Sequence, residues 1–180
     1  MTRTLTRTNP SPSAWRCDRG VNMKKKIYIA YGSNTYAPQM KRRCPEAKLI
    51  GTGFLKDYEL EFRGAATVIP KPDANVPVVL WEITELNEER LDVCEGVPHG
   101  VYRKEKCTVE VDGKPISGMI YMKNGDSIFP PKEGYAKRML LGYRQNGLDV
   151  QYIHDALDRA YLAQEDQDED LSETPEMKQN

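Results

Sequence analysis

Short apolar runs dominate the first half of the chain and predict strands interrupted by turns. The run IYIAY at 27–31 is rich in strand formers and stops at Gly32-Ser33-Asn34. Pro38 suits the first turn of a short helix over 38–43. Three further strands are predicted, with a turn at Pro70-Lys71-Pro72-Asp73 between the last two, over 48–62, 66–69 and 76–84.

Helical patterns and one hairpin occupy the second half. Asn87 is a plausible N-cap of a helix over 88–95, and Gly96 follows that helix as a C-cap glycine. Asp112-Gly113 predicts a hairpin between strands at 107–111 and 116–122. Apolar stripes predict two last helices, 132–145 and 150–163. This order predicts an α+β domain with a curved or closed, mostly antiparallel sheet.

The two ends of the chain differ from its middle in charge and composition. Residues 1–26 carry seven basic side chains against one acid, and residues 164–180 carry seven acids against one lysine. We expect a disordered basic extension at 1–23, a single domain at 24–163 and a disordered acidic tail at 164–180. The extension reads either as a segment upstream of a natural start at Met23 or as an organelle transit peptide.

Composition disfavours a membrane protein, a nucleic-acid partner and a metal site. No run approaches the roughly 20 apolar residues of a membrane helix, and a formal net charge of −1 suggests no nucleic-acid partner. Two histidines and four cysteines, without a CxxC pair, offer almost nothing to a metal site. Scattered thiols are typical of a reducing compartment and predict a cytoplasmic protein. The oligomeric state stays unknown.

Glu95 is the most informative candidate for chemistry. It falls in the last turn of the helix over 88–95, where backbone carbonyls present negative partial charge and disfavour a carboxylate. Because a carboxylate at this position destabilises the helix, Glu95 is a candidate general acid/base. The alternative is a surface glutamate that precedes a C-cap. His99, in a turn nearby, is either a loop residue or a proton shuttle.

The turn Tyr31-Gly32-Ser33-Asn34 is the second candidate. It offers backbone N–H groups at a strand end, a geometry that binds carboxylates or stabilises an oxyanion. The alternative is an ordinary turn between a strand and a helix. No GxSxG elbow surrounds Ser33, so a serine hydrolase is disfavoured.

Five segments in this order resemble the gamma-glutamylcyclotransferase family across about residues 26–160. They are IYIAYGSN (27–34), RGAATVIP (63–70), LWEIT (80–84), LDVCEGVPHGVYRK (91–104) and, from 130 to 157, PPKEGY with MLLGYRQNGLDVQYIHDAL. The resemblance implies a compact mixed α/β domain with a small barrel-like sheet. It also implies a metal-independent site, without cofactors, for a small-molecule γ-glutamyl substrate.

The resemblance also implies roles for individual residues. Glu95 matches the catalytic glutamate of the family. The segment that holds the γ-glutamyl group is matched by Tyr28, Ile29, Ala30, Tyr31, Gly32, Ser33 and Asn34. Tyr135 matches a substrate-contacting tyrosine of the family. Tyr102 lies where a family tyrosine follows the glutamate, and it is a second-rank candidate for substrate binding. Val78 stands where similar sequences often have glycine, and we expect its side chain to narrow the cavity.

The sequence thus predicts an enzyme that releases 5-oxoproline from a γ-glutamyl amine, amino acid or peptide by attack of the substrate's own α-amine. Two alternatives stay open. One is a binding module that keeps the fold and cavity without turnover, and the other is an interaction protein that works through its charged ends.

Overall fold

Five strands close into a small barrel in the computed structural model, which describes residues 24–172. The strands are β1 (Lys26–Ala30), β2 (Lys48–Phe62), β3 (Ala66–Ile83), β4 (Tyr102–Val111) and β5 (Lys114–Lys123). They follow the order β1-β3-β2-β4-β5, and the neighbouring pairs are antiparallel except that β1 runs parallel to β5. The predicted α+β class with a mostly antiparallel, barrel-like sheet is confirmed.

Within residues 24–172, four α-helices surround the barrel. They are α1 (Ala37–Arg43), α2 (Glu85–Cys94), α3 (Glu133–Gln145) and α4 (Gln151–Ser172). The hairpin at Asp112-Gly113 forms as predicted, with φ of 49° and 73° at its two turn residues. These left-handed values are those that a two-residue hairpin turn needs.

The turn predicted at 70–73 does not divide two strands, because β3 runs unbroken from Ala66 to Ile83. Pro72 lies in a bulge instead, and Pro70 pairs with Tyr58 at its edge. The pairing with β2 jumps from Tyr58 with Pro70 to Lys56 with Asn75, and Asp57 and Asp73 adopt φ of 61° and 62°. A bulge tolerates proline because its unpaired residues need no ladder hydrogen bond.

Helix α2 begins three residues before the predicted start. Thr84, not Asn87, is its N-cap: the Thr84 side chain accepts from the backbone N–H of Asn87, and the Asn87 side chain accepts from the N–H of Thr84. An asparagine three residues past the cap performs the part that glutamate or glutamine has in a capping box. Gly96 ends the helix with φ of 65°, as predicted.

Helix α4 continues past Ala163 to Ser172, so the first part of the predicted acidic tail is helical. Its side chains from 164 to 169 are exposed. The rest of the tail, 173–180, and the predicted extension at 1–23 lie outside the described residues.

Two apolar clusters hold the domain together. One fills the barrel and includes Ile29, Val78 and Ile120, and it extends to α3 and α4. The other packs α1 and α2 against the outside of the barrel around Met40, Trp81 and Leu91. Among the described residues, none of the helices combines the length and the apolar character that crossing a membrane requires.

Candidate active site

A small cavity opens where β1 ends. Ten residues line it: Tyr28, Tyr31, Gly32, Ser33, Asn34, Ala66, Glu95, Tyr102, Tyr121 and Tyr135. The structure therefore brings together the two features that the sequence singled out, the Tyr31–Asn34 turn and Glu95. Tyr28, Tyr102 and Tyr135 join them.

The Tyr31–Asn34 turn is fixed from several sides. A 3-10 turn over Ser33–Thr35 follows Gly32, whose carbonyl accepts from the backbone N–H and the hydroxyl of Thr35 at 3.0 and 2.9 Å. The indole N–H of Trp81 donates to the Asn34 carbonyl at 3.1 Å. Helix α3 packs directly on the turn, since a Cβ at Gly142 would lie 2.2 Å from Thr35 Oγ1. The backbone of this turn is thus held rigid beside the cavity.

Glu95 is the C-cap of α2, so its carboxylate does lie beside the negative end of the helix. A cation offsets that placement. Arg43, the last residue of α1, donates from Nη1 to Glu95 Oε1 at 2.7 Å, and the side chains are 27% and 14% exposed. This partly buried, charge-assisted bond fixes Glu95 Oε1 against the end of α1.

Asn34 joins the turn to Glu95. Its Nδ2 donates to Glu95 Oε1 at 3.0 Å and to the Tyr28 hydroxyl at 2.8 Å. Its Oδ1 accepts from Gln39 Nε2 at 2.9 Å and from Arg43 Nη1 at 3.0 Å. Both bonds to Glu95 end on Oε1, and within the described part of the chain no donor reaches Oε2. One carboxylate oxygen is anchored, and the other is left to accept or give a proton.

Tyrosines form most of the remaining wall. Tyr102 donates from its hydroxyl to the Ala66 carbonyl at 3.0 Å, and Tyr31 donates to the Tyr121 carbonyl at 2.6 Å. The Tyr135 hydroxyl accepts from the backbone N–H of Ala66 at 3.1 Å. The backbone of Ala66 thereby fixes the hydroxyl groups of Tyr102 and Tyr135 in the cavity wall.

The phenols of this wall stay neutral. Burial raises the pKa of Tyr28, and the nearby Glu95 carboxylate raises it further. Burial is also the main cause of the raised pKa of Tyr31, Tyr102 and Tyr135, although the Ala66 N–H partly opposes it at Tyr135. At neutral pH these groups are therefore hydrogen-bond donors.

Two sequence expectations do not match this site, whereas His99 fits its loop-residue alternative. Ile29 and Ala30 do not line the cavity, because strand alternation and the end of β1 turn their side chains into the two apolar clusters. Val78 is fully buried inside the barrel and does not narrow the cavity. His99 is exposed in a 3-10 turn and is absent from the cavity wall.

The sequence reasoning missed Gln39, Arg43, Ala66 and Tyr121. Gln39 and Arg43 lie four residues apart on α1, so they share one helix face. Gln39 Nε2 donates to Ser33 Oγ at 2.8 Å and to Asn34 Oδ1, and Arg43 reaches Asn34 and Glu95. The spacing of Gln39 and Arg43, on the helix that follows Tyr31–Asn34, was the sequence signal that could have identified these two residues.

Residues 24–172 contain no cluster of three or more His, Cys, Asp or Glu side chains able to hold a metal ion.

Comparisons with known proteins point the same way. The sequence pattern of the AIG2-like family matches residues 75–156. Bovine gamma-glutamylcyclotransferase is 31% identical over 139 residues, which cover 70% of this chain and 74% of the bovine protein. The human protein of that name is 30% identical over 146 residues, 74% of this chain and 78% of its own.

A solved structure of a gamma-glutamyl cyclotransferase superposes with a TM-score of 0.69 and 27% identity, and the match covers 74% of this chain and 86% of that one. The superposition and the identities with the bovine and human proteins agree. The chain belongs to the gamma-glutamylcyclotransferase family.

Proposed function

We propose that this protein releases 5-oxoproline from a γ-glutamyl amine, amino acid or peptide, with Glu95 as general acid/base. The observation that carries the proposal is the position of Glu95. Its Oε1 is held by Asn34 and Arg43 at the edge of a cavity walled by the Tyr31–Asn34 turn. The names of the bovine and human relatives support the same reaction class.

The reaction is intramolecular, so the protein supplies mainly conformation. The α-nitrogen of the γ-glutamyl group attacks the γ-carbonyl carbon, and a five-membered ring closes as the new C–N bond forms. Holding the substrate in this folded conformer supplies several kcal/mol of the barrier. A small cavity with tyrosine walls suits that restraint.

Protons are the second requirement. Glu95 takes one proton from the α-ammonium group, which frees the nitrogen lone pair for attack. It then gives that proton to the leaving nitrogen, and the original amide bond breaks to release the amine. The new ring nitrogen loses its second proton, which passes to the released amine, so that the products are the neutral lactam and an ammonium ion. Glu95 Oε2 suits this exchange, because Oε1 is already bonded twice. General acid–base transfer contributes roughly 10²–10⁴-fold to such reactions.

The oxyanion that develops on the γ-carbonyl oxygen needs hydrogen-bond donors. The backbone N–H groups of the Tyr31–Asn34 turn and a tyrosine hydroxyl would supply them, although the hydroxyls of Tyr31 and Tyr102 already donate to backbone carbonyls. Tyr28 is one such donor, because its oxygen accepts from Asn34 while no described residue accepts its proton. Tyr135 and Tyr102 would contact the γ-glutamyl group from the opposite wall.

The alternative of a binding module loses one of its two motives, whereas the interaction protein rested on the charged ends alone. Val78 suggested an altered cavity, but it lies in the core. The proposal also includes a cytoplasmic location, which the unpaired thiols of Cys44, Cys94 and Cys107 suit.

An isotope experiment separates cyclisation from hydrolysis and from mere binding. The purified protein is incubated with a panel of γ-glutamyl compounds that carry ¹⁵N at the α-nitrogen. We expect labelled 5-oxoproline and free amine in equal amounts. Labelled glutamate would mean hydrolysis, and unchanged compound throughout the panel would mean that the protein is not this enzyme.

A further inference from the structure

Helix α2 binds the Tyr121 side chain of the cavity wall. The Tyr121 hydroxyl donates to Asp92 Oδ1 at 2.7 Å, and Asp92 lies about one helical turn before Glu95 without lining the cavity itself. We propose that Asp92 is a positioning residue, which acts through Tyr121 to hold the Tyr28 hydroxyl in its orientation towards the substrate. This inference rests on the proposed function, in which Tyr28 donates to the oxyanion.

Both oxygens of the Asp92 carboxylate accept hydrogen bonds. Tyr121 donates to Oδ1, and Lys104 Nζ donates to Oδ2 at 2.8 Å. Lys104 and Tyr121 lie directly opposite each other on β4 and β5, so their side chains project from the same face of the sheet. The register of these two strands therefore brings both donors to one side chain of α2.

Lys104 is itself held by a second carboxylate of α2. Its Nζ also donates to Glu88 Oε1 at 2.8 Å, one turn before Asp92. The side chains of Glu88 and Asp92 are only 15% and 22% exposed. Charge-assisted bonds between partly buried groups hold side chains more firmly than exposed ion pairs do. Asp92 is thus a fixed acceptor for Tyr121.

Tyr121 stays a hydrogen-bond donor in this arrangement. Burial raises the pKa of its hydroxyl, and the bond to Asp92 raises it further. At its backbone, the Tyr121 carbonyl accepts from the Tyr31 hydroxyl at 2.6 Å. The backbone of Tyr121 is therefore bonded to the cavity wall, and the end of its ring is bonded to α2.

The ring of Tyr121 packs directly on Tyr28. The two ring centroids lie 5.6 Å apart and the ring planes meet at 71°, which is an edge contact. This geometry is among those that aromatic pairs prefer. Asn34 fixes the Tyr28 oxygen at 2.8 Å, and the Tyr121 ring restrains the plane of the Tyr28 ring. A Tyr121 ring released from Asp92 would therefore let the Tyr28 hydroxyl change its direction.

Kinetics of Asp92 variants separate positioning from substrate binding. Asp92→Ala removes the acceptor of Tyr121, whereas Asp92→Asn keeps one in its amide oxygen. We expect Asp92→Ala to lower kcat by about 3- to 10-fold, the size of an ordinary hydrogen bond, and to leave KM nearly unchanged. The effect falls on kcat because the oxyanion exists only in the transition state. Asp92→Asn should recover most of the loss. An unchanged kcat in Asp92→Ala, or a change in KM alone, would overturn the proposal.

A double-mutant cycle tests the route through Tyr28. Tyr121→Phe removes the hydroxyl that reaches Asp92, and it also replaces the Asp92 test if Asp92→Ala does not fold. We expect Tyr121→Phe to lower kcat in the wild-type background and to have no further effect in Tyr28→Phe, because the group that it positions is then gone. Losses that multiply in Tyr28→Phe/Tyr121→Phe would overturn the proposal.

The matched control is Glu88→Gln on the same helix. It removes the other carboxylate partner of Lys104 and leaves the bond between Asp92 and Tyr121 in place. At a temperature where all variants are folded, Glu88→Gln should keep the wild-type kcat. An equal fall of kcat in Glu88→Gln and Asp92→Ala would mean that the loss follows the stability of the ion-pair cluster, and the positioning role would be wrong.

A measurement without substrate separates this inference from the proposed function. If wild type forms no 5-oxoproline from any γ-glutamyl compound, the proposed function fails, and NMR of protein with ¹³C-labelled tyrosine then reads the Tyr28 ring. Its signals are assigned by their loss in Tyr28→Phe. A shift of these signals in Asp92→Ala, but not in Glu88→Gln, supports the control of Tyr28 by Asp92. Unshifted Tyr28 signals in Asp92→Ala overturn it.

Discussion

The Arg43 guanidinium donates at 2.7 Å to the same oxygen of Glu95 that Asn34 reaches at 3.0 Å. Arg43 and Glu95 end two different helices, α1 and α2, and their bond joins the helix after the Tyr31–Asn34 turn to the helix that ends at the candidate acid/base. Asn34 Oδ1 also accepts from Arg43. These three side chains therefore fix where the free carboxylate oxygen points.

Arg43→Gln should lower kcat/KM for a γ-glutamyl substrate by about 10- to 100-fold, the value of a charge-assisted hydrogen bond of ~1.5–3 kcal/mol. Arg43→Lys should recover part of that loss, since lysine restores the charge without the second contact to Asn34. Steady-state kinetics of both variants measure the effect. Lys41→Gln, an exposed charge on the same helix, is the control. Equal rates in wild type and Arg43→Gln would contradict a positioning role for Arg43.

Gly142→Ala should destabilise the protein by about 1–3 kcal/mol and reduce activity, because the new methyl overpacks a rigid contact. Its Cβ would lie 2.2 Å from Thr35 Oγ1 and 2.7 Å from the Tyr36 nitrogen. Helix α3 would have to move away from the turn, and Tyr135 would move with it.

Gly134 provides a matched control in the same helix, since a Cβ there meets only the end of Arg138 at 3.9 Å. Gly134→Ala should leave stability unchanged or raise it by up to ~1 kcal/mol. Urea unfolding with tryptophan fluorescence compares the two variants. Similar losses at both positions would mean that the contact between α3 and the turn is not tight.

Cysteine labelling tests the packing of α1 against α2. Burial raises the pKa of the Cys44 thiol to about 11, so at pH 8 only about one molecule in a thousand carries a thiolate there. Cys94 is exposed. In a time course with iodoacetamide, followed by peptide mass spectrometry, Cys44 should react at least about 100-fold more slowly than Cys94. The difference should vanish in 8 M urea (about the usual concentration for complete unfolding), and a similar rate at both residues in folded protein would contradict this packing.

Protonation of Glu88 in acid should lower the free energy of unfolding. Burial acts to raise the pKa of Glu88, but hydrogen bonds from Lys104 at 2.8 Å and Lys26 at 2.5 Å outweigh it, and the pKa is lowered from 4.5. A carboxyl whose pKa is lowered by folding stabilises the protein above its unfolded value and loses that contribution as the pH falls through its folded value.

Urea unfolding at pH 7 and at a pH below the folded pKa of Glu88 measures this contribution. The free energy of unfolding of wild type should fall more across that interval than that of Glu88→Gln. Glu85→Gln, exposed in the first turn of the same helix, should behave as wild type. An equal fall in wild type and Glu88→Gln would show that this ion-pair cluster adds nothing.

Most of the architecture could be predicted because local chemistry dictates it. Asp112-Gly113 supplies the left-handed residues of a hairpin, and Gly96 supplies those of a helix end. The start of α2 was misplaced because Thr84 and Asn87 are both good caps, and only their reciprocal bonding decides between them. The bulge at Asp73 depends on register with β2, a partner distant in sequence.

The candidate site likewise contains residues that the local sequence predicts and residues that depend on distant contacts. Glu95 and the Tyr31–Asn34 turn stand out in the sequence through their positions at element ends. Arg43 does not, because its meaning comes from a contact across 52 residues. Ile29 and Ala30 show the opposite error: they adjoin the turn in sequence, yet the end of β1 places them in the core. Local turns and helix ends are predictable from the sequence, whereas the walls of a cavity formed by distant segments are not.

The most direct test compares 5-oxoproline formation by wild type and Glu95→Gln, with Glu85→Gln as the control on the same helix. Circular dichroism first establishes that the three proteins fold alike. Mass spectrometry then follows product from a γ-glutamyl compound that wild type consumes. The account predicts a loss of about 10²–10⁴-fold in Glu95→Gln and no loss in Glu85→Gln. Product formation at the wild-type rate by Glu95→Gln would contradict it.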